Sequence, residues 1–143
     1  MNKLFLLASS VLLLAWCGQS AITYNDTIVD TLDTYSAAYE VYYDSEWDAV
    51  QPAIDSSLVA LKKARTDLEA LGEYDGKRAF LDSALKLLDL YEEELTVIAP
   101  KLQAGEEISD ETTKDFQTRM EAAMADINTQ QTIFAAENNM QVQ

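Results

Sequence analysis

The stretch FLDSALKLLDLYEEELTVIAP, residues 80–100, decides the fold, because its apolar residues recur at alternating steps of three and four. That repeat places a continuous apolar stripe along one side of a helix. Phe80, Leu85 and Leu87 widen the stripe, so we expect this helix to be the most buried one. Pro100 disfavours helical geometry at the residue before it and is predicted to end or kink the helix. The stripe consists of Leu81, Ala84, Leu88, Tyr91, Leu95 and Ile98.

The same helical spacing of apolar residues appears on both sides of this stretch, while β-branched runs are missing. We expect two helices before it, over about residues 24–43 and 48–71, and one after it, over about residues 110–138. The connections are short, which makes consecutive helices antiparallel. The predicted fold class is therefore all-α: an up-down-up-down antiparallel four-helix bundle after an N-terminal signal segment.

A few polar residues and one glycine mark the expected helix ends. Asp48 followed by Gln51 predicts a capping box at the start of the second helix, and Gly72 is placed to cap its C-terminal end. Asp75 and Ser109 are the expected N-caps of the third and fourth helices.

The first residues have the pattern of a secretory signal peptide. Lys3 supplies one positive charge, and the apolar run that follows has about 13 residues, whereas a membrane-spanning helix needs about 20. The chain becomes polar directly after Cys17. We therefore predict three segments: a signal peptide over residues 1–16, a lipid-attachment cysteine with a short tether over residues 17–23, and a four-helix bundle over residues 24–143.

The step Leu14-Ala15-Trp16-Cys17 resembles a bacterial lipobox, whose cysteine receives diacylglycerol and becomes the first residue of the mature protein. Leu14 and Ala15 fit that pattern, and Trp16 departs from it, since the position normally holds Gly, Ala or Ser. Gly18 is not the Asp that retains lipoproteins at the inner membrane, so the resemblance implies an outer-membrane address. Three acyl chains would exceed the two anchors that stable membrane attachment requires.

An alternative processing step stays open. A signal peptidase could cut before Ala21, because small residues, Gly18 and Ser20, occupy the third and the first position before that bond. Such a cut would discard Cys17 and release a soluble protein. Lipid attachment is favoured because a cysteine at the end of the apolar run is otherwise unexplained. The predicted location is therefore the bacterial cell envelope, lipid-anchored at the outer membrane, with a secreted or soluble periplasmic protein as the alternative.

Composition argues against several classes of function. A formal net charge of −15 leaves no basic patch for phosphates, so we expect no nucleic-acid partner. The chain has no histidine, which removes Ser-His-Asp and Cys-His catalysis, HExxH zinc sites and the Glu-x-x-His pairs of di-iron bundles. We therefore expect a protein that is not an enzyme, with no catalytic residues, no metal and no cofactor.

Tyrosine is unevenly placed: five of the seven lie in YNDTIVDTLDTYSAAYEVYY, residues 24–43, and Trp47 follows closely. Tyr35 and Tyr39 belong to the apolar stripe by their spacing, whereas Tyr43 and Trp47 need not. These four residues are the candidate contacts for a partner or a ligand, since aromatic rings offer large contact area with a polar handle. The alternative is that the tyrosines pack the edge of the bundle with their hydroxyls in water.

Acidic clusters are a second feature, found at residues 44–48, 92–94 and 106–111. Calcium requires six to eight converging oxygens, and the D-x-[DN]-x-[DN]-G loop that supplies them is missing. The consecutive glutamates at 92–94 point in different directions around a helix and cannot converge on one ion. Solvated surface charge is the favoured interpretation.

Two short stretches carry a resemblance. YNDTIVD at residues 24–30, just after the lipobox-like cysteine, and GEEIS at residues 105–109 resemble small, uncharacterised helical-bundle surface lipoproteins (YND-type) of Bacteroidota and spirochaetes. The likeness covers most of the mature chain in layout and only these stretches in residues. It implies an exported, lipid-anchored bundle, with no established activity and no catalytic residues to transfer.

Two functions follow from these observations. The leading prediction is an exported, membrane-anchored lipoprotein whose bundle is a non-enzymatic interaction module, either for another envelope protein or in assembly. The alternative is a small-ligand carrier that binds near the aromatic first helix, over Tyr35–Trp47. A gap of a few hundred cubic ångströms there would favour the carrier, and a filled core with Tyr43 and Trp47 exposed would favour the interaction module.

Overall fold

Apolar residues at helical spacing fold into four helices in the part of the chain that the structure, a computed structural model, describes: residues 20–46 and 48–140. No β-strand is present within these ranges. The predicted all-α, four-helix bundle is confirmed. The helices are α1 (Ala21–Tyr43), α2 (Val50–Leu71), α3 (Ala79–Glu93), which continues through a π-helical turn (Glu94–Ile98) into a short α-helical segment (Ala99–Gln103), and α4 (Asp110–Glu137).

The helix α3 lies at the centre of the bundle, as its wide apolar stripe predicts. It packs against all three other helices, and Leu81, Ala84 and Leu88 are fully buried. On one side these residues join the main core with α1 and α2. On another side Leu87 and Leu90 form a second, smaller cluster with Ala123 of α4. The two clusters explain why α3 needs apolar residues around most of its circumference.

The helix does not end at Pro100, and its backbone hydrogen bonding continues past this residue. Proline has no N–H for the carbonyl four residues earlier, and its ring crowds that carbonyl. The backbone accommodates this by widening over Glu94–Ile98, where the N–H of Ala99 donates to the carbonyl of Glu94, five residues back. The helix then continues to Gln103. The predicted end or kink is therefore a π-helical turn, a form that is frequent at functional sites.

Two of the predicted caps are wrong. The helix α2 begins at Val50 after Ala49 with no side-chain cap, and the Gln51 amide donates to the Asp55 carboxylate at 2.8 Å instead of closing a capping box. Asp75 does not cap α3, because it occupies a tight turn with φ 50°. In that turn the backbones of Tyr74 and Lys77 exchange two hydrogen bonds, and α3 starts later, at Ala79.

The N-terminal ends of α1 and α4 carry matching serine caps. The predicted cap at Ser109 is confirmed, since its hydroxyl oxygen accepts from the N–H of Thr112 at 3.2 Å. At the other end of the chain Ser20 accepts from the N–H of Thr23 at 3.1 Å, so α1 begins at Ala21, inside the stretch predicted as a tether. A serine N-cap contributes about 1 kcal/mol to a helix.

Gly72 ends α2 with φ 64° and ψ −155°, a backbone conformation that is almost exclusive to glycine. A Cβ added there would meet no atom within 4 Å, so steric exclusion by neighbours plays no part. We expect Gly72→Ala to lower the free energy of unfolding by about 1–3 kcal/mol through backbone strain alone. Urea denaturation followed by circular dichroism measures this. An unchanged midpoint would show that the turn has another accessible conformation.

Candidate functional site

The structure separates the four aromatic residues that the sequence proposed as contacts. Tyr35 is 1 % exposed and belongs to the core, and Tyr39 is half-buried beside it. Tyr43 is 75 % exposed at the end of α1. Trp47 and the proposed lipid-attachment residue Cys17 lie outside the described residues. Among the candidate residues that the structure describes, only Tyr35 and Tyr39 are brought together, with ring centroids 6.3 Å apart.

Four tyrosines form a continuous cluster between α1 and α3, which we call the tyrosine cluster: Tyr35, Tyr39, Tyr42 and Tyr91. The ring of Tyr91 lies 5.1 Å from that of Tyr35, edge to face, and 4.6 Å from that of Tyr39. Tyr42 lies 5.5 Å from Tyr39. Edge-on and tilted pairs at these distances are favourable aromatic geometries. The rings contact one another, so the cluster is filled and leaves no cage for a ligand between them.

Glu94, the first residue of the π-helical turn, faces this cluster. The hydroxyl of Tyr39 donates to a Glu94 carboxylate oxygen at 2.5 Å. Burial raises the pKa of Glu94 above its ordinary value, and the Tyr39 hydrogen bond only partly opposes that rise. The interpretation of this residue as solvated surface charge is therefore wrong, because its carboxyl group lies half-buried among aromatic rings.

The three consecutive glutamates bind three different helices. Glu92 accepts from Arg65 of α2 at 3.1 Å, and Glu93 accepts two hydrogen bonds from Arg119 of α4 at 2.8 and 2.7 Å. Glu94 accepts from Tyr39 of α1. Successive residues of a helix point about 100° apart, so the three carboxylates reach all three neighbours of α3. The three glutamates thus connect α3 to α1, α2 and α4 through polar side-chain contacts.

The hydroxyls of the tyrosine cluster keep their protons at neutral pH. Burial raises the pKa of Tyr35, and the neighbouring Tyr91 and Glu94 raise it further. Burial and the hydrogen bond to Glu94 raise the pKa of Tyr39. A tyrosine with a raised pKa is less ionised at neutral pH than a free one, so less of the phenolate that could act as nucleophile or general base is present. The cluster donates a hydrogen bond to the Glu94 carboxyl group, and it offers no activated nucleophile.

The hydroxyl of Tyr35 is buried with no hydrogen-bond partner among the described residues, whereas that of Tyr24 donates to the carbonyl of Gly72 at 3.0 Å. We expect Tyr24→Phe to lower the free energy of unfolding by about 0.5–1.5 kcal/mol, because a hydrogen bond is lost. Tyr35→Phe should leave that free energy unchanged or raise it, because an unpaired hydroxyl leaves the core. Thermal unfolding of both variants measures the contrast. Equal losses would mean that Tyr35 has a bonding partner in solution.

A groove of about 340 Å³ runs between α1 and α2 beside Tyr35. Its lining combines the small side chains of Ala38, Ala60 and Ala64 with threonines of α1 and with the charged residues Asp30, Lys63 and Asp67. The Tyr35 hydroxyl is fully covered, so it is not accessible from this groove.

The end of the bundle formed by the C-terminal turn of α1 is acidic and partly apolar; we call it the α1 tip. Val41 and Tyr43 are 62 % and 75 % exposed there, on either side of the inward-facing Tyr42. The surrounding acids Glu40, Asp44, Glu46 and Asp48 are exposed as well. No lysine or arginine occurs between Lys3 and Lys62. Among the ion pairs of the described residues, none involves these four acids or another acid of α1, so the tip is strongly negative.

Residues 20–46 and 48–140 contain no group of three or more acidic or cysteine side chains placed to hold a metal ion. None of the described helices is both long and apolar enough to cross a membrane. Comparison of the chain with known protein families, with curated proteins and with solved structures finds no match to any of them.

Proposed function

We propose that this protein is an exported lipoprotein, anchored in the cell envelope through acylated Cys17, whose helical bundle is a non-enzymatic interaction module. The observation that carries the proposal is the α1 tip, where Val41 and Tyr43 are exposed among unpaired acids, while Tyr35 and Tyr39 fill the core. Exposed aromatic and apolar side chains at the edge of a polar surface are typical of protein–protein contacts. The resemblance to helical-bundle lipoproteins supports the same proposal.

The cap of α1 supports a mature chain that retains Ser20. Cleavage before Ala21 would remove the hydroxyl that accepts from Thr23 and the carbonyl that accepts from Tyr24 at 2.9 Å. It would also place a positive amino terminus at the positive end of the helix dipole, which is unfavourable. Cleavage before Cys17 keeps the cap intact. The local structure of α1 therefore favours the lipid-anchored form over the soluble one.

The short tether and the length of α1 together separate the proposed lipid anchor at Cys17 from the α1 tip. Three residues lie between Cys17 and Ala21, so the start of α1 lies within about 15 Å of an acylated cysteine. The helix then extends for 23 residues, a length of about 35 Å at the usual rise per residue. The α1 tip is at the far end of α1, where a partner can approach it away from the bilayer.

The experiment places the photoreactive residue benzoylphenylalanine at Tyr43 in the full chain, expressed in the native host. The matched control carries it at Val59, which is on α2 and is 72 % exposed. We expect a discrete cross-linked adduct at Tyr43 and none at Val59. The yield of the adduct should fall in high salt, because an acidic surface selects a basic partner and salt screens their attraction. Identical products at both positions would contradict the proposal.

A second candidate function rests on the groove beside Tyr35. Its volume is within the range of small-ligand sites, and it lies next to the aromatic first helix, as the carrier hypothesis requires. A carrier should bind a neutral apolar dye such as Nile red in this groove. Ala60→Trp, which fills the groove, should abolish that binding, whereas Val59→Trp should not. Dye binding that is absent, or equal in both variants, would exclude the groove as a ligand site.

A further inference from the structure

The π-helical turn changes which side chains the end of its helical stretch exposes. In a regular α-helix the apolar stripe through Leu95 would continue to Ile98 and Leu102. The turn adds one residue to the helical repeat, because the N–H of Ala99 donates to a carbonyl five residues back. The buried position after Leu95 is therefore Ala99, which is 3 % exposed, whereas Leu102 is 45 % exposed. The turn thus places a leucine in solvent.

The helices α1 and α3 run in the same direction. Tyr35 of α1 contacts Tyr91 of α3, and about one turn further along both helices Tyr39 donates to Glu94. The α1 tip, at the C-terminal end of α1, and the π-helical turn therefore lie at the same end of the bundle.

Exposed apolar side chains from both helices lie close to the contact between Tyr39 and Glu94. Val41 follows Tyr39 by two residues and Val97 follows Glu94 by three, so both lie within about 5 Å of that contact along the helix axes. One further exposed side chain on each helix lies within about 12 Å of it. All four are between 45 % and 75 % exposed. We call these side chains the distal surface: Val41, Tyr43, Val97 and Leu102.

The end of the bundle that carries the distal surface is strongly acidic. Four exposed acids belong to the α1 tip, and four more belong to the loop before α4 and to its first turn, while two lysines lie in adjoining turns. Among the ion pairs of the described residues, none includes any of these ten side chains. The acids are Glu40, Asp44, Glu46, Asp48, Glu106, Glu107, Asp110 and Glu111, and the lysines are Lys101 and Lys114.

We propose that the distal surface binds a basic amphipathic helix of another protein, whose apolar side chains contact the exposed residues of α1 and of the π-helical turn while its lysines and arginines pair with the surrounding acids. This partner class rests on the proposed interaction function, and it adds the π-helical turn to the α1 tip as the second half of one surface. Apolar side chains presented by two neighbouring helices are typical of helix-in-groove recognition.

Charge argues against two other occupants of the distal surface. A second copy of the chain would bring two acidic ends together, and like charges across an interface oppose binding. An anionic membrane surface would be repelled for the same reason. A basic helix meets the opposite condition, since it supplies the charges that the eight acids lack.

A fluorescently labelled leucine–lysine peptide, patterned as an amphipathic helix, is the probe. It is titrated with the full-length chain in nanodiscs of zwitterionic phosphatidylcholine, with empty nanodiscs as the blank, and its anisotropy is measured. We expect saturable binding that weakens several-fold as salt rises from about 0.01 M to about 0.15 M. A leucine–glutamine peptide of the same pattern should not bind, and a leucine–lysine peptide of scrambled order should bind about tenfold more weakly.

Three serine variants locate the binding surface. Tyr43→Ser and Leu102→Ser should each lower the affinity for the leucine–lysine peptide by about fivefold or more. Val59→Ser is the matched control, since Val59 is equally exposed but lies on α2, and it should bind like the wild type. All three side chains are exposed, so the fold should be retained, which circular dichroism checks.

No saturable binding, or equal binding of the leucine–glutamine peptide, would overturn the proposal. An affinity that falls in Tyr43→Ser but not in Leu102→Ser would also overturn it and leave the α1 tip alone as the surface. Failure of the proposed function gives a different result, because benzoylphenylalanine at Tyr43 would then form no adduct in the native host. An adduct at Tyr43 without peptide binding would reject the basic helix and retain the interaction module.

Discussion

Phe134→Ala should lower the free energy of unfolding by about 3–5 kcal/mol. The ring of Phe134 lies 5.3 Å from Tyr24, 5.3 Å from Tyr74 and 5.8 Å from Phe80, so it joins α4 to three other parts of the bundle. Ala135 is the only other buried residue in the last turns of α4 that are described, and the remaining contacts of this end are polar, from Gln131 to Asn25 and from Glu137 to Lys77. Truncation should therefore release the C-terminal turns of α4 before the rest of the bundle unfolds.

The matched control for this prediction is Ile133→Ala. Ile133 precedes Phe134 and is 46 % exposed, so its truncation should cost less than about 1 kcal/mol. Urea denaturation gives the free energies, and hydrogen exchange of amides 130–137 shows whether the end of α4 opens first. Similar losses in the two variants would mean that the aromatic cluster does not hold α4 in place.

Leu88→Ala should have an effect of similar size, with a loss of about 2–5 kcal/mol in the free energy of unfolding. Leu88 is fully buried at the centre of α3, in the main core shared with α1 and α2. The chain has no internal disulfide to compensate, since it contains a single cysteine. Removal of three carbon atoms from the core therefore costs transfer free energy and leaves a cavity that the surrounding helices only partly fill.

Leu102→Ala is the corresponding control on the same helical stretch, because Leu102 is exposed in the short segment after the π-helical turn. We expect a loss below about 1 kcal/mol for this variant. Thermal and urea unfolding of both variants measure the difference. A Leu88→Ala protein as stable as Leu102→Ala would contradict the central position of α3.

The periodicity of α3 was sufficient to predict the bundle, because a stripe that wide can be buried only against several neighbours. Ser109 was also predictable, since a serine followed by two acids is a local signal of a helix start. Met124, which helical spacing places on the inner face of α4, is exposed instead. The reason is that α4 packs mainly on α3, so only a narrow stripe of it is covered.

The site could not be predicted in the same way. Residues 92–94 are three consecutive glutamates, so the sequence does not distinguish them. The arrangement of the other helices decides that the first binds Arg65, the second binds Arg119 and the third is half-buried beside Tyr39. The lost capping box at Asp48 has a similar cause. The N-cap of α2 is Ala49, one residue later than the predicted Asp48, and no side-chain signal records that shift.

Intact mass of the protein purified from its native membranes, beside a Cys17→Ala variant, tests the central claim that the bundle works at the end of a lipid anchor. We predict a mature chain that begins at Cys17, retains Ser20 and carries added acyl mass, which the variant lacks. A soluble chain that begins at Ala21 without lipid would contradict the claim, and it would leave α1 without the cap that the structure shows.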